Sequence, residues 1–443
     1  MTVSGRFVAL VCLGIVPVVA FGSDACTSAL VLLGWLVLVC ALGAIDLIVA
    51  ASPRAVAFDR DLPARVRLGE SVRSRLFVTN VGSRMLRARI RDAWQPSAGA
   101  PPTRVPVRIP PGERRLISLT LTPVRRGERR VTQVTVRSAG PLRLWSRQAT
   151  LAAPGRIRVL PPFLSRKHLP SRLARLRELD GRTSVMIRGQ GTEFDSLREY
   201  VRGDDVRSID WRATARSTDP NSAADSKLMV RTWRPERDRR VVILIDTSRT
   251  SAARIDNEPR IDTAFEAALL LAALASRAGD RVDLLAYDRR VRGRVQGATG
   301  AALLSRMVDT MAGIDPELIE MDWTAVPSLV REVTSHRALV VLLTAAESPG
   351  ASLGLLSVLP QLTKRHTVLV ASVTDPGVLS ATSERGDREQ IYLAAAAERA
   401  LLDGARVGAA IQQLGAEIVT GSPSDLPPAV ADRYLALKAA GRL

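Results

Sequence analysis

The chain has 443 residues, which is enough for two or three domains of ordinary size. It is 46% hydrophobic, which excludes wholesale disorder, and its net charge of +19 is carried almost entirely by arginine. No Gly-Lys pair occurs, so a Walker-type nucleotide loop is excluded. The only cysteines are Cys12, Cys26 and Cys40, and the three histidines are scattered; a disulfide scaffold and a thiolate zinc site are therefore excluded beyond residue 40.

Residues 1–53 are predicted to form a transmembrane hairpin of two helices. The apolar stretch 25–51 exceeds the roughly 20 residues that cross a bilayer, whereas the first stretch, 7–21, is shorter and contains Pro17. A cleaved signal peptide is the alternative interpretation of the first stretch. The second stretch follows after a turn of only three residues, 22–24, and this favours an uncleaved hairpin.

The flanking charges predict the orientation of this hairpin. Arg6 precedes the first stretch, four arginines follow the second (Arg54, Arg60, Arg65 and Arg67), and the turn between them carries no positive charge. Positively charged flanks stay on the cytoplasmic side. We therefore expect a multi-pass protein of the cell membrane whose soluble domains are cytoplasmic.

The positive charge is concentrated next to the predicted membrane segment. Residues 54–240 contain 41 basic and 18 acidic residues, whereas residues 241–443 contain 21 and 24. Such a segment is attracted to anionic lipid headgroups; nucleic-acid binding is the alternative. Few aromatic residues and no helix-turn-helix pattern accompany the arginines, so membrane lipids are the expected partner and nucleic acid is not.

Residues 54–160 are predicted to form a basic β-sandwich-like domain. Short stretches rich in β-branched residues alternate with turn signals at spacings of roughly 8–12 residues, a pattern typical of antiparallel sandwiches. Residues 161–239 are interpreted as a connecting segment. The predicted strands lie at 66–68, 72–79, 87–91, 116–122, 130–137 and 156–160.

From residue 240 to residue 443 the pattern changes to apolar strands separated by helical stretches. This alternation predicts a Rossmann-type parallel sheet covered by helices on both faces. Ligands bind such sheets beyond the carboxyl ends of the strands, and Asp246, Ser248 and Thr250 stand at the end of the first one. The strands are predicted at 241–246, 282–287, 338–344, 367–372 and 417–420, and the helices at 261–277, 301–311, 325–333, 391–414 and 426–440.

The run Asp246-Thr247-Ser248-Arg249-Thr250 resembles the Asp-x-Ser-x-Ser/Thr motif of von Willebrand factor A domains, where it supplies oxygen ligands to a divalent cation. The resemblance implies Thr324 as a further ligand and an aspartate after Thr344. Ala345 stands there instead, and Glu347 is the first acid beyond it. The expected site is thus a degenerate metal-ion-dependent adhesion site that binds Mg²⁺ weakly, because affinity in oxygen sites depends on ligand charge. No nucleotide is expected.

A second and longer resemblance lies upstream, at residues 189–216. This run is similar to the signature of the bacterial domain of unknown function 58 family. Its carboxylates are interpreted either as a hydrolytic pair or as members of a charged network that joins the domains. The signature residues are Gly191, Glu193, Phe194, Asp195, Arg198, Tyr200, Gly203, Asp204, Asp205, Arg207, Asp210, Trp211 and Arg216.

Together these patterns predict a membrane-anchored scaffold or adaptor without catalytic residues. It would present a von Willebrand factor A-like domain to a cytoplasmic partner, and the family resemblance implies a MoxR-type AAA+ ATPase. Two alternatives stay open: an enzyme of the cell envelope that uses the signature carboxylates, and a nucleic-acid binder close to the membrane.

Overall fold

The computed structural model describes residues 2–186, 193–201, 206–217, 228–234, 239–256 and 258–443. The fold is mixed α/β with several sheets, and the chain divides into two units, Met1–Pro162 and Phe163–Leu443. The predicted domain boundaries stay predictions.

Unit 1 begins with apolar helices. In the part of the chain that the structure describes, only the helix α3 (Ala25–Val49) is long and apolar enough to cross a membrane or to act as a signal sequence, with a mean hydropathy of 2.5 over 18 residues. The first stretch is divided into two shorter helices that pack on α3, where the Trp35 indole donates to the Leu10 carbonyl over 2.9 Å. The elements are β1 (Thr2–Val3), α1 (Gly5–Cys12), α2 (Ile15–Phe21) and α3 (Ala25–Val49).

Two sheets follow in unit 1. One has the order β2-β4-β7, and the other has the order β1-β9-β8-β5-β6, with β3 added parallel to β9. The six predicted strands of this region are confirmed. The buried apolar side chains of the two sheets pack against one another in two clusters. The strands are β2 (Val56–Asp61), β3 (Arg65–Arg67), β4 (Val72–Asn80), β5 (Leu86–Asp92), β6 (Val105–Ile109), β7 (Arg114–Leu121), β8 (Gly127–Ala139) and β9 (Trp145–Leu160).

Asp46, near the end of α3, joins the helices to the sheets. Its carboxylate is 1% exposed and accepts hydrogen bonds from the backbone N–H groups of Leu142 and Leu144, both over 2.8 Å. The first residue of the same turn, position 140, requires glycine, because a Cβ there would lie 2.1 Å from the Asp46 carbonyl oxygen. The turn between β8 and β9 is therefore held by a buried charge from α3.

Unit 2 contains the predicted α/β alternation. A short 3₁₀ helix, Leu164–His168, and the helix that follows it, Leu169–Met186, both pack on the helix Arg260–Arg277. The Glu266 carboxylate of that helix accepts hydrogen bonds from the backbone N–H groups of Leu164 and Ser165. The elements are α4 (Leu169–Met186), β10 (Glu193–Glu199), α5 (Trp211–Ser217), β11 (Met229–Arg234), β12 (Arg240–Asp246), β13 (Arg254–Ile255), β14 (Glu258–Pro259), α6 (Arg260–Arg277), β15 (Arg281–Tyr287), β16 (Val291–Val295), α7 (Gly300–Ala312), α8 (Val326–Val333), β17 (Leu339–Leu343), α9 (Pro349–Thr363), β18 (Thr367–Val373), α10 (Pro376–Ala381), α11 (Arg388–Gln413), β19 (Glu417–Gly421) and α12 (Leu426–Ala439).

The large sheet of unit 2 has the strand order β16-β15-β12-β17-β18-β19. All neighbours pair in parallel except β16, which is antiparallel to β15. Along the chain, the sheet grows from β12 first towards β15 and later towards β17. The strand order therefore reverses beside β12, and the carboxyl ends of β12 and β17 form the crevice where open α/β sheets bind ligands.

Candidate functional site

The site is a cluster of hydroxyl groups around one carboxylate at this reversal point. Asp246 ends β12, and its carboxylate accepts three hydrogen bonds: from the backbone N–H of Ser248 over 2.8 Å, from the Thr250 hydroxyl over 3.1 Å and from the Thr344 hydroxyl over 2.7 Å. The Ser248 and Thr250 hydroxyls lie 3.2 Å apart. Three of the four predicted metal-site residues are thus brought together, and Thr344 is added to them.

The local sequence explains the geometry of the cluster. β12 is apolar and buried on both faces, so its carboxyl end places Asp246 beside Thr344, the residue that follows the neighbouring strand β17. The Ser251 hydroxyl donates to the Asp246 carbonyl over 2.6 Å and closes the turn. Asp246 and Ser248 are each 1% exposed, so their polar atoms are satisfied mainly inside the protein.

Thr324, the fourth predicted ligand, has a different partner. It lies in the short 3₁₀ helix Trp323–Ala325, and its hydroxyl and backbone N–H both donate to the Asp322 carboxylate, over 2.6 and 3.1 Å. Asp322 is the N-cap of that helix, which is an ordinary structural role for an aspartate. Thr324 is therefore exposed, and its hydroxyl donates to the capping residue Asp322 rather than to Asp246.

A buried arginine lies against the cluster. Arg260, the first residue of α6, donates to the Thr250 carbonyl over 3.1 Å and forms an ion pair of 2.7 Å with Glu347. Arg260 is only 8% exposed. Glu347, the acid that could have replaced the aspartate expected at position 345, is thus already neutralised by a cation of the chain itself.

A second charged cluster supports the loop from the β15 side. The Asp288 carboxylate accepts from the Thr247 hydroxyl over 2.9 Å and pairs with Arg292 over 2.6 Å, and Arg292 also pairs with Glu317. Burial raises the pKa of the Asp288 carboxyl, but hydrogen bonds from the Arg289 backbone, Arg292 and Thr247 outweigh it and hold that pKa below its ordinary value. Its contribution to stability is therefore present above about pH 4 and is lost as the pH falls further.

The oxygen atoms of the Asp246 cluster suit a hard cation only poorly. They include one carboxylate, and no group of three or more histidine, cysteine or acidic side chains suited to a metal occurs in the described residues. Magnesium bound by one or two carboxylates keeps several waters, and the 1% exposure of both Asp246 and Ser248 leaves little room for them. Glu347, the first acid beyond Thr344 in the sequence, is paired with Arg260 and therefore adds no free negative charge to the site. The donor set does not fit a tightly held divalent ion.

The signature segment is described only in part. Gly191, Gly203, Asp204 and Asp205 lie outside the described residues. The others lie in the strand pair β10–β11 and in α5, with Ile209 bridged to Val230 and Trp211 67% exposed. The positions so placed are Glu193, Phe194, Asp195, Arg198 and Tyr200 on or beside β10, Arg207 in the turn Val206–Ser208, and Asp210, Trp211 and Arg216 at or in α5.

Asp210 has a structural role in this segment. Its carboxylate accepts from the backbone N–H groups of Arg212 and Ala213 at the start of α5, and it pairs with Arg231 over 2.7 Å. The hydrogen bond from Ala213 and the ion pair with Arg231 hold the pKa of the carboxyl below its usual value. A depressed pKa suits a helix cap and not a proton donor at neutral pH.

Residues 196–380 match the family model described as "Protein of unknown function DUF58". The match contains the signature from Ser196 onwards, the Asp246 loop and the sheet as far as β18. The resemblance of the signature to this family is therefore confirmed over those residues.

Similar curated proteins include the uncharacterized proteins Rv1480 and MT1527 of Mycobacterium tuberculosis and Mb1516 of Mycobacterium bovis. Each is 28% identical over 193 residues, which is 43% of this chain and 57% of the relative. The chain thus spans little more than half the length of the curated relatives it matches.

Solved structures give weaker likenesses. A Salmonella α-2-macroglobulin mutant is 22% identical, with coverage of 25% of this chain and 7% of its own and a TM-score of 0.19. A PapD-like domain of human CEP192 is 14% identical, with coverage of 25% and 88% and a TM-score of 0.20. An α-2-macroglobulin from Escherichia coli is 11% identical, with coverage of 87% and 24% and a TM-score of 0.20. These scores are too low to indicate a shared fold.

Proposed function

We propose that the protein is a membrane-anchored scaffold without catalytic activity, which presents a von Willebrand factor A-like unit to a MoxR-type AAA+ ATPase in the cytoplasm. The observation that carries the proposal is the strand order β16-β15-β12-β17-β18-β19 with the Asp246 loop at its reversal point. This arrangement agrees with the resemblance of residues 246–250 to the adhesion motif. The family resemblance of the signature supports the ATPase as the partner.

The membrane anchor in this proposal is a hairpin formed by α1, α2 and α3. Large apolar side chains of α3 are exposed, among them Leu30 at 63%, Leu33 at 59% and Val37 at 61%. Soluble proteins rarely expose such a continuous apolar surface, which is stable in hydrocarbon. The contact of Trp35 with Leu10 supports a first segment, residues 5–21, that lies in the membrane beside α3.

We expect the soluble part to face the cytoplasm, because the arginines lie at both outer ends of the hairpin. Protease added to intact spheroplasts should leave residues 55–443 whole, and the same protease should digest them after lysis. Digestion before lysis, with a cytoplasmic marker protein still protected, would place the unit outside the cell and contradict an ATPase partner.

The Asp246 loop is proposed as a contact surface whose metal, when bound, is held weakly and completed by an acidic side chain of the partner. The chain itself would supply the oxygens of Asp246, Ser248 and Thr250. No step of a reaction is assigned to this site, since its polar groups position one another and the nearest charged neighbour, Arg260, is engaged with Glu347.

Calorimetry with magnesium tests the charge of the site. The unmodified full chain in neutral detergent is expected to bind magnesium in the millimolar range or more weakly, as in other poorly charged oxygen sites. Ala345→Asp should tighten the affinity at least about tenfold, because it adds a carboxylate beside Thr344. Ala345→Asn is the matched control of equal size. Micromolar binding by the unmodified chain, lost in Asp246→Ala, would contradict this account.

A further inference from the structure

A cavity of about 830 Å³ lies in unit 1 where the start of α1 meets the outer face of the larger sheet. Its volume is within the roughly 300–1,000 Å³ typical of ligand pockets. None of its lining residues is acidic. Six arginines line it: Arg6, Arg87, Arg89, Arg108, Arg137 and Arg143.

Four of these arginines form a zigzag across the three neighbouring strands β8, β5 and β6. Arg87 on β5 stands directly opposite Arg108 on β6, and Arg89 on β5 stands directly opposite Arg137 on β8. Like charges placed opposite one another destabilise a sheet. The arrangement therefore costs stability unless an anion lies between the side chains.

The cavity arginines have no acidic partner among the residues that the structure describes. Arg137 donates to the Gln148 side chain over 3.0 Å, which leaves its charge uncompensated. Ion pairs in unit 1 use other arginines instead, among them Arg60, Arg75, Arg114, Arg115 and Arg130. The cavity consequently carries a concentrated positive potential.

The backbone at Arg143, one of the cavity arginines, is fixed in an unusual conformation by hydrogen bonds of its neighbours. Arg143 has a φ of 59°, a left-handed conformation that is unfavourable for a side chain of this kind. The carboxylate of Asp46 imposes it by binding the backbone N–H groups on either side, those of Leu142 and Leu144. Strain of this type persists where the surrounding structure over-determines it, and it clusters at ligand sites.

Apolar surface adjoins the charged cavity. Arg6 lies in the first turn of α1, the Phe7 ring packs on Trp145 with centroids 5.5 Å apart, and Val8 is 54% exposed. A smaller cavity of about 160 Å³ shares Arg89 and Arg137 with the first one and adds two further arginines. A ligand that fits both surfaces has an anionic head and an apolar tail.

We propose that this cavity binds the phosphate-bearing headgroup of an anionic phospholipid, with the acyl chains along α1. Arginine is suited to the task because its guanidinium binds phosphate oxygens in a bidentate manner. Nucleic acid fits less well, since single strands need aromatic platforms for their bases and no aromatic residue lines the cavity. The inference rests on the membrane placement proposed above.

The test measures lipid binding by the full chain in neutral detergent, using native mass spectrometry with phosphatidylglycerol and phosphatidylcholine. One variant carries Arg87→Gln, Arg89→Gln and Arg108→Gln. The matched control, with the same loss of charge outside the cavity, carries Arg73→Gln, Arg115→Gln and Arg156→Gln. Glycerol 3-phosphate and a single-stranded oligonucleotide are added as competitors, and flotation with liposomes measures membrane insertion of every variant.

We expect preferential binding of phosphatidylglycerol. The cavity variant should weaken it on the order of a hundredfold, because each of the three arginines near the lipid surface is worth about fivefold, and the control should weaken it less than about threefold. The cavity variant should be at least as heat-stable as the unmodified chain, because it relieves the opposed charges.

Equal weakening by both variants, or equal binding of phosphatidylcholine, would overturn the lipid site. Glycerol 3-phosphate that binds as tightly as the lipid would identify a soluble phosphate ligand instead, and displacement by the oligonucleotide at lower concentration would identify nucleic acid. Failure of the unmodified chain to float would refute the membrane anchor itself, whereas flotation without headgroup selectivity would refute the cavity site alone.

Discussion

The double variant Leu33→Arg/Val37→Arg is expected to release the protein from membranes. Both side chains lie near the middle of α3 and are exposed, so the substitutions disturb little internal packing. An arginine at the centre of a membrane helix costs about 2.5–3.5 kcal/mol on insertion scales, so the pair should shift the distribution between membrane and soluble fractions by about 10³-fold or more. Carbonate extraction followed by flotation measures this distribution.

The matched control places the same charges on exposed apolar residues elsewhere, as Val124→Arg/Leu318→Arg. Val124 is 72% and Leu318 is 82% exposed. This variant should stay with the membrane fraction. If the α3 variant floats as well as the control, α3 does not anchor the chain, and the exposed apolar surface of this helix needs another explanation.

The second large effect is expected at Asp246. Asp246→Ala removes the acceptor of three hydrogen bonds in a buried loop and leaves the Ser248 N–H and the Thr344 hydroxyl without their partner. Each of these two unsatisfied buried groups costs about 1–3 kcal/mol, so the free energy of unfolding of this unit should fall by about 2–6 kcal/mol. Hydrogen exchange of the strand β12 in the full chain reports this loss locally.

Asp246→Asn separates a structural role from an electrostatic one. The amide keeps one acceptor oxygen, and the hydroxyls of Thr250 and Thr344 can rotate to accept from its NH₂ group. We therefore expect protection of β12 to stay within about 1 kcal/mol of the unmodified chain, while any magnesium binding is lost. Protection as low in the asparagine variant as in the alanine variant would show that the negative charge itself stabilises the loop, most directly through the nearby Arg260.

Much of this fold follows from periodicity. Apolar runs such as Val241–Asp246 and Leu339–Leu343 mark strands that are buried on both faces, and alternation along β4 and β8 marks strands that are buried on one face. These elements are confirmed. Strand β16 was missed because its sequence, Val-Arg-Gly-Arg-Val, is short and polar, as befits an exposed sheet edge. Helix α9 was missed because it contains glycine and Pro360.

The candidate site was predictable only where its members are close in sequence. Asp246, Ser248 and Thr250 share one loop, and their meeting follows from that spacing. Thr344 joins them across 98 residues and Glu347 pairs with Arg260 across 87, contacts that depend on which strands and helices become neighbours. Motif comparison placed Thr324 among the ligands, but the nearer Asp322 binds its hydroxyl.

Asp46 shows the same limit in the apolar helix α3. From sequence alone, a carboxylate near the end of an apolar helix is expected to reach the membrane–water interface, and its position predicts no function. Its partners are backbone N–H groups 96 and 98 residues away, in a turn of the β-domain. Backbone donors carry no sequence signature, although Gly140 marks the close approach.

Photocrosslinking in intact cells tests the central claim most directly. A photoreactive residue at Arg249, which is exposed in the Asp246 loop, should capture a MoxR-type AAA+ ATPase, and one at Thr324 should capture the same protein. A photoreactive residue at Arg365, which precedes β18 and so lies at the opposite, amino ends of the parallel strands, should not. Capture of the ATPase from Arg249 and Thr324 but not from Arg365 is the predicted result; capture of no AAA+ ATPase from either loop position would contradict the scaffold function.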